Sequence, residues 1–363
     1  MSDSSTSAPP KEYRTAWEEL EATSAPAACV QLGNTVALVT GANDPNAIGY
    51  HTALYLARGG AKVYVGARTK QKARQAISSI KALFEDKDLL LEPFVADLSD
   101  LSQVKTAADK LRASESRLNI IINNAAIADD PSNKTEYGLS TTMVVNYLAP
   151  CLLVKSLRPL LEETAKAGGD VRIVNMTSTV HTVIQSFDLD CKFSLNVDPS
   201  WSGPRSPIMQ QYALSKLALV MFTKVLQRDF DNLDLPILVM SVFPGFTKTT
   251  RTLKLMGNSP DMIFSPSDCA FTGLFAATEP SVRTSGKYGG AYIVPFGVIG
   301  KSTETAEDEE LGRKFAVCSH AIHPHTQLTA LLGVCVCVRL SGSVFVSCPS
   351  LLTTGVVGLA FGG

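Results

Sequence analysis

TVALVTGANDPNAIG, residues 35–49, decides how the rest of the chain is read. Its first six residues form a short apolar, β-branched run, the pattern of a strand buried on both faces. Gly41 follows as a tight turn, and from Ile48 the apolar spacing changes to that of a helix. A glycine turn that carries a strand into a helix points backbone N–H groups, and the positive end of the helix dipole, at one spot. That geometry suits a phosphate. Gly49 lets the helix pack closely on the strand. The loop is irregular, with five residues between Gly41 and Ala47, and taken alone it is a weak signal.

The same alternation continues outward. AKVYVGA (61–67), LLLEPFVAD (89–97), LNIIINNA (118–125), VRIVNMTS (171–178), LPILVMSVFP (235–244) and YGGAYIVP (288–295) read as six more strands. Segments with apolar residues three and four apart separate them. Strand–helix alternation at this interval predicts an α/β fold, a doubly wound parallel sheet of about seven strands with helices on both faces. Ligands of such sheets bind at the carboxyl ends of the strands. No internal repeat is visible.

Three compositional zones follow. Residues 1–33 are polar and Pro/Ser-rich and are expected to form a flexible arm. They have no basic region leading into an apolar run, so no secretory signal is read there and a cytoplasmic location with reduced cysteines is expected. Residues 34–316 form one catalytic-sized domain. The chain has 33 Lys+Arg against 34 Asp+Glu, a net charge of −1, which gives no electrostatic case for a nucleic-acid partner. Charged residues are 18% overall, and the deficit is local: residues 317–363 hold one charged side chain, Arg339.

That tail also holds Cys318, Cys335, Cys337 and Cys348 with His320, His323 and His325. Their spacing fits no standard zinc site, so no metal is expected. The apolar run Leu328–Val338 falls short of the roughly 20 residues of a spanning helix, which disfavours membrane association. The chain starts a charged helix at Glu307–Phe315 and then passes into text with no period. A translated intron or a shifted reading frame has this appearance, so the tail is expected to be disordered or foreign to the domain.

Several motifs fall at the strand ends. Strand two ends in Ala67-Arg68, with no carboxylate to bind a ribose 2′-OH. Arg68 suits a 2′-phosphate by charge and planar geometry, unless it is only a solvated charge at a helix start. Strand three ends in Ala96-Asp97-Leu98-Ser99, where Asp97 or Ser99 is also a candidate helix N-cap. Strand four ends in Asn123-Asn124-Ala125-Ala126. Tyr212 and Lys216 lie four apart on one predicted helix face. An ammonium near a phenol favours the phenolate and makes proton exchange with a carbonyl oxygen efficient. An exposed helical pair is the plainer reading of that spacing. Ser178 ends strand five, and Asn146 lies in a long helical stretch.

Together these residues resemble the short-chain dehydrogenase/reductase family, in a branch similar to retinol-dehydrogenase-like and fungal-type oxidoreductases. The likeness covers about residues 34–300. The first loop resembles TG-x(3)-G-x-G lengthened by two residues, with Ala47 in place of a glycine. The resemblance implies cofactor binding by Gly41, Asn43, Ile48, Gly49, Arg68, Asp97 and Leu98, by Asn124 and Ala125 in a segment similar to N-N-A-G, and by Tyr212 and Lys216. Pro244-Gly245-Phe246-Thr247-Lys248-Thr249 resembles P-G-x(3)-T, and Pro244, Gly245 and Thr247 are its expected contacts. The cofactor expected is NADP(H), with NAD(H) disfavoured. Asn146, Ser178, Tyr212 and Lys216 resemble the family's catalytic tetrad. Ser178 would bind the substrate oxygen and Tyr212 would exchange its proton. Lys216 would tune Tyr212 and hold the nicotinamide ribose. Asn146 would stabilise its helix and a proton-carrying water.

The segment between Ser178 and Tyr212 is long and holds Phe187, Phe193, Trp201 and Met209. It reads either as the lining of a site for a lipophilic carbonyl or alcohol or as a core-packing flap. A second apolar stretch, Thr250–Ser265, has the character of a lid. His181 is expected to be structural. The expected activity is NADP(H)-dependent interconversion of a carbonyl and an alcohol on a small lipophilic substrate, by an enzyme that can form a homo-oligomer. The rival reading is a catalytically silent NADP(H)-binding scaffold or regulator.

Overall fold

The structure, a computed structural model, describes residues 31–83, 88–186, 195–200, 202–247, 252, 264–321, 336–340 and 343–347. Seven strands run parallel: β1 (Val36–Val39), β2 (Lys62–Ala67), β3 (Leu91–Val95), β4 (Ile120–Asn123), β5 (Val171–Met176), β6 (Ile237–Val242) and β7 (Tyr292–Val294). Their order in the sheet is β3-β2-β1-β4-β5-β6-β7, and a two-residue strand β8 (Val298–Ile299) closes the edge antiparallel to β7. The doubly wound parallel sheet expected from sequence is present, with this short antiparallel strand added.

The strands are shorter than the apolar runs that announce them. The last shrinks most, from residues 288–295 to Tyr292–Val294. Tyr288 to Ala291 turn instead, with Gly290 at φ 71° and the Ala291 amide bonded to the Tyr288 carbonyl. No apolar run of its own announces β8, because a positive-φ pair, Phe296 and Gly297, reverses the chain after only a few residues.

Helices cover both faces. On one side lie α1 (Ile48–Arg58), α2 (Lys70–Ala82) and α6 (Pro266–Thr278), packed through Leu56, Ile80 and Leu274. On the other lie α3 (Leu101–Ser114), α4 (Thr141–Lys166) and α5 (Pro207–Asp231), packed through Val104, Leu157 and Leu217. α4 is apolar enough by length and composition to cross a membrane, but 78% of that window is buried inside the fold, as befits a core helix. Two short helices, α7 (Pro280–Thr284) and α8 (Glu304–Glu307), precede α9 (Glu309–Ala321).

α9 lies along α5. Phe315 is 1% exposed and meets Tyr147 edge-on at 6.0 Å. Arg228 pairs with Glu309 at 3.0 Å. The helix starts two residues later than expected and runs to Ala321, past the proposed domain end at residue 316. Beyond it, β9 (Val336–Leu340) and β10 (Ser343–Ser347) form an antiparallel hairpin of their own. The remaining tail residues, including His323, His325 and Cys348, lie outside the described residues. So do Phe187, Phe193 and Trp201 of the long insert and most of the Thr250–Ser265 stretch.

Candidate active site

β1 sits inside the sheet, with β2 on one side and β4 on the other, so the chain reverses winding direction there. A crevice opens at such a switch point, beyond the carboxyl ends of the strands. The segments that hold the residues singled out in the sequence meet at these strand ends.

At the end of β1, Gly41 has φ 63°, and a Cβ there would come within 2.9 Å of the Ala125 backbone. A Cβ on Gly49 would meet the Asn124 amide nitrogen at 2.3 Å and the Gly41 carbonyl at 2.6 Å. Both positions therefore require glycine. The two-residue lengthening folds on itself: the Asp44 carboxylate accepts from the Asn46 amide at 2.9 Å and the Asp44 carbonyl from the Ala47 amide at 2.9 Å. Ala47, the N-cap of α1, offers no side-chain cap. A bare N-terminus on an 11-residue helix beside a glycine turn fits an anionic pyrophosphate. Asn43 and Ile48 flank this turn, and Ile48 also packs partly into the core.

The Asn124 amide nitrogen turns to the strand ends. It donates to the Thr40 carbonyl at 2.8 Å and the Gly41 carbonyl at 3.2 Å. Thr40 Oγ1 in turn accepts from the Asn124 and Ala125 amides, both at 3.0 Å. This latch locks the β1 and β4 ends together. Asn124 and Ala125 shape the crevice through this latch, and Thr40 belongs with them.

Arg68 and Asp97, from neighbouring strand ends, face each other at 3.5 Å. The Arg68 side chain is 64% exposed, which leaves its guanidinium accessible. Neither Asp97 nor Ser99 caps the next helix. Asp100 does, accepting from the Ser102 and Gln103 amides. Asp97 accepts instead from the amide and hydroxyl of Ser99, at 3.0 and 2.7 Å. Leu98 packs against the core.

The tetrad residues come from three elements. α4 changes to a π turn over Val144–Leu148, and Asn146 sits in it. π turns inside α-helices occur often at functional sites. Asn146 is 1% exposed, and its amide donates to the Ile127 carbonyl at 2.8 Å and to Ser215 Oγ at 3.0 Å, while its oxygen accepts from the Ile127 amide at 2.8 Å. Ser215 donates to the Tyr212 carbonyl at 2.7 Å. Asn146 thus braces the first turns of α5 against the segment after β4.

Lys216 is 2% exposed, and its ammonium donates to the Met176 carbonyl at the end of β5 at 2.8 Å. It also lies 5.5 Å from the centre of the Tyr212 ring, within cation–π range. The pair is therefore a built feature and not an exposed helical pair. Ser178, two residues past Met176, caps a 3₁₀ turn over Thr179–Val183, its Oγ accepting from the Val180 amide at 3.3 Å. A hydroxyl used that way still has its O–H to donate.

Beneath these groups runs a buried polar chain that the sequence reading missed. Asn123 donates to Asn175 at 2.8 Å, Asn175 to Thr223 at 2.9 Å, and Thr223 to the Leu219 carbonyl at 2.9 Å. It fastens β4 and β5 to α5. An asparagine at the end of each apolar strand was the available signal.

After β6, Pro244 and Gly245 are buried, and Gly245 has φ 105° with a Cβ position 2.9 Å from the Phe264 ring. Thr247 is 5% exposed and donates to the Phe264 carbonyl at 2.9 Å, so its side chain ties the loop to itself. The threonine that closes the motif, Thr249, lies outside the described residues. His181 is fully buried with both ring nitrogens engaged, and burial lowers its pKa. Among the described residues no group of three or more His, Cys, Asp or Glu side chains could hold a metal.

Known proteins agree with this geometry. The family profile described as short chain dehydrogenase matches residues 35–186. A short-chain dehydrogenase/reductase of Armillaria gallica is 40% identical over 308 residues, covering 81% of this chain and 94% of its own. Human polyprenol dehydrogenase is 32% identical over 69% of this chain and 74% of its own, and mouse retinol dehydrogenase 12 is 32% identical over 71% and 78%. Two solved structures share the fold at TM-score 0.56: a short chain dehydrogenase of Escherichia coli complexed with NADPH and a 3-ketoacyl-(acyl-carrier-protein) reductase of Brucella melitensis complexed with NADH. They are 24% and 22% identical and cover 73% and 72% of this chain, and 98% and 97% of their own. With the glycine turn, the switch-point crevice and the Tyr212–Lys216 pair in place, the chain is an oxidoreductase and belongs to the short-chain dehydrogenase/reductase family.

Proposed function

We propose that the protein interconverts a carbonyl and an alcohol on a small lipophilic substrate and uses NADP(H). The observation that carries this reading is the Lys216 ammonium, buried beside the Tyr212 ring and anchored to the Met176 carbonyl. A buried cation beside a phenol favours the phenolate, which equips Tyr212 to give a proton to a carbonyl oxygen or take one from a hydroxyl. The Ser178 O–H donates to the same oxygen and orients it. Asn146 holds the start of α5 so that Tyr212 keeps its place. The N–H groups at the start of α1 and the Gly41 turn would hold the cofactor pyrophosphate, with Lys216 on the nicotinamide ribose. When bound, the nicotinamide supplies or accepts the hydride.

Preference for NADP(H) is supported by Ala67 and Arg68, which put an accessible guanidinium and no carboxylate at the end of β2. A lipophilic substrate is supported by the retinol and polyprenol dehydrogenases among the relatives and by the apolar residues of the long insert.

The test is a panel of lipophilic ketones and aldehydes with NADPH. Wild-type protein is expected to oxidise NADPH with at least one of them. Tyr212→Phe is expected to lose about 100-fold or more in kcat, the scale of general-acid catalysis. NADPH affinity, read by fluorescence titration, should change less than twofold. Tight NADPH binding with no turnover across the panel would favour the silent scaffold.

A further inference from the structure

Among the described residues His181 is the fully buried imidazole that the reaction scheme leaves unused, and it touches the backbone of Ser178. Its Nδ1 lies 2.7 Å from the Ser178 carbonyl, and its backbone amide donates to the same oxygen at 3.3 Å. A carbonyl can only accept, so Nδ1 carries the proton. In a neutral ring Nε2 is then an acceptor, and it takes the Ser302 hydroxyl at 3.2 Å. Tyr292 of β7 packs against the ring edge-on at 4.9 Å and fixes its plane.

We propose that His181 is a positioning residue for catalysis: it holds Ser178 through the backbone carbonyl and is itself held by Ser302, an inference that rests on the dehydrogenase reading of Ser178.

The surroundings support this role. On the N-terminal side of Ser178, Thr177 is tied to β6 through the Val242 carbonyl at 2.7 Å and to α5 through the Lys216 carbonyl at 3.3 Å. On the C-terminal side His181 supplies the matching tie. Ser178 therefore sits between two clamps, one of them fastened to the backbone of Lys216 itself. The segment that holds His181 also grips the far end of the 3₁₀ turn: Thr305 donates to the Gln185 carbonyl, and Glu307 pairs with Lys224 of α5 at 2.9 Å. Burial lowers the His181 pKa, which favours the neutral ring in which Nε2 accepts from Ser302. Reacting groups need placement to within fractions of an ångström, and small displacements cost large factors in rate.

The experiment compares His181→Asn, His181→Gln, His181→Ala and Ser302→Ala with wild type. Turnover is normalised to NADPH-binding sites, so that unfolded molecules do not count. The Asn amide nitrogen occupies the place of Nδ1 and can donate to the Ser178 carbonyl; the Gln amide stands near Nε2 and cannot make the same bond. His181→Gln and His181→Ala are expected to lose about tenfold or more in kcat with substrate KM within about twofold. His181→Asn should recover to within about threefold of wild type, and Ser302→Ala should show a smaller loss of the same kind. If all three His181 variants keep kcat within about twofold per binding site, or lose it equally, His181 does not position Ser178. If Ser302→Ala matches wild type, Ser302 does not hold the ring. Wild-type protein that binds NADPH but turns over no carbonyl overturns the dehydrogenase reading and this one with it.

Discussion

On the proposed use of NADP(H), the preference would fall to Arg68, and its setting makes the expectation specific. It stands at the end of β2 beside Asp97, exposed enough to meet a phosphate. Two partners then compete for one guanidinium. A phosphate offers bidentate, charge-assisted bonds, whereas the long contact to Asp97 in an exposed setting contributes little. Arg68→Ala is therefore expected to weaken NADPH binding by about tenfold and leave NADH binding within about twofold. Equal weakening of both would assign Arg68 to the general shape of the crevice. At the same scale, His51 and His181 share a pH dependence. Burial, as the largest cause, lowers the pKa of each below 6.5. The unfolded chain then binds more protons than the folded one just below that value, so stability falls as pH drops through it. The melting temperature is expected to decline on acidification below about pH 6.5, with a shallower decline in His181→Asn.

At the scale of elements, the π turn in α4 and the first turns of α5 act together. Asn146 joins them through Ile127 and Ser215, and the Ser215 hydroxyl reaches the Tyr212 carbonyl. Within that turn a buried asparagine between apolar neighbours satisfies both ends of its amide. Asn146→Ala strips the Ile127 amide and carbonyl of this partner and leaves Ser215 without its donor. We expect a loss of about 2 kcal/mol in stability and of tenfold or more in kcat. Chemical denaturation and turnover per NADPH site read the two effects separately. A fall in stability with kcat unchanged would limit Asn146 to a structural role. The Thr40–Asn124 latch between β1 and β4 is a second joint of this kind. In it the Asn124 amide nitrogen is spent on the Thr40 and Gly41 carbonyls.

Over the whole molecule, the domain boundary is the open matter, and α9 bears on it. Leu311 and Phe315 are buried, and Phe315 packs against the residue next to Asn146. Removing residues 309–363 should lower the melting temperature by about 6 °C or more, since the loss of a buried Phe alone costs about 3–5 kcal/mol. Removing only residues 322–363 should leave melting and turnover near wild type, as expected if that segment is foreign to the domain. Equal damage from both truncations would make the tail part of the fold.

The order of strands and helices, the turning glycine at Gly41 and the spacing of Tyr212 and Lys216 could all be read along the chain, because each is a local pattern of period, turn or helix face. The resemblance added Asn146 and Ser178 to that pair. What the sequence alone left open was partnership. Asn124 meets Thr40 across 84 positions, Asn146 meets Ser215 across 69 and His181 meets Ser302 across 121. Asp100, not Asp97 or Ser99, took the helix cap because the chain reached helical geometry only after one more turn. Such choices depend on which strands lie side by side and where a polar group must be satisfied once water is excluded. Hydrophobic period carries none of that information. The residue types, their order and the local turns were thus determined by the sequence read as a string. Which of them touch, and which hydroxyl or amide is left to face the crevice, was decided only when the sheet brought the strand ends together.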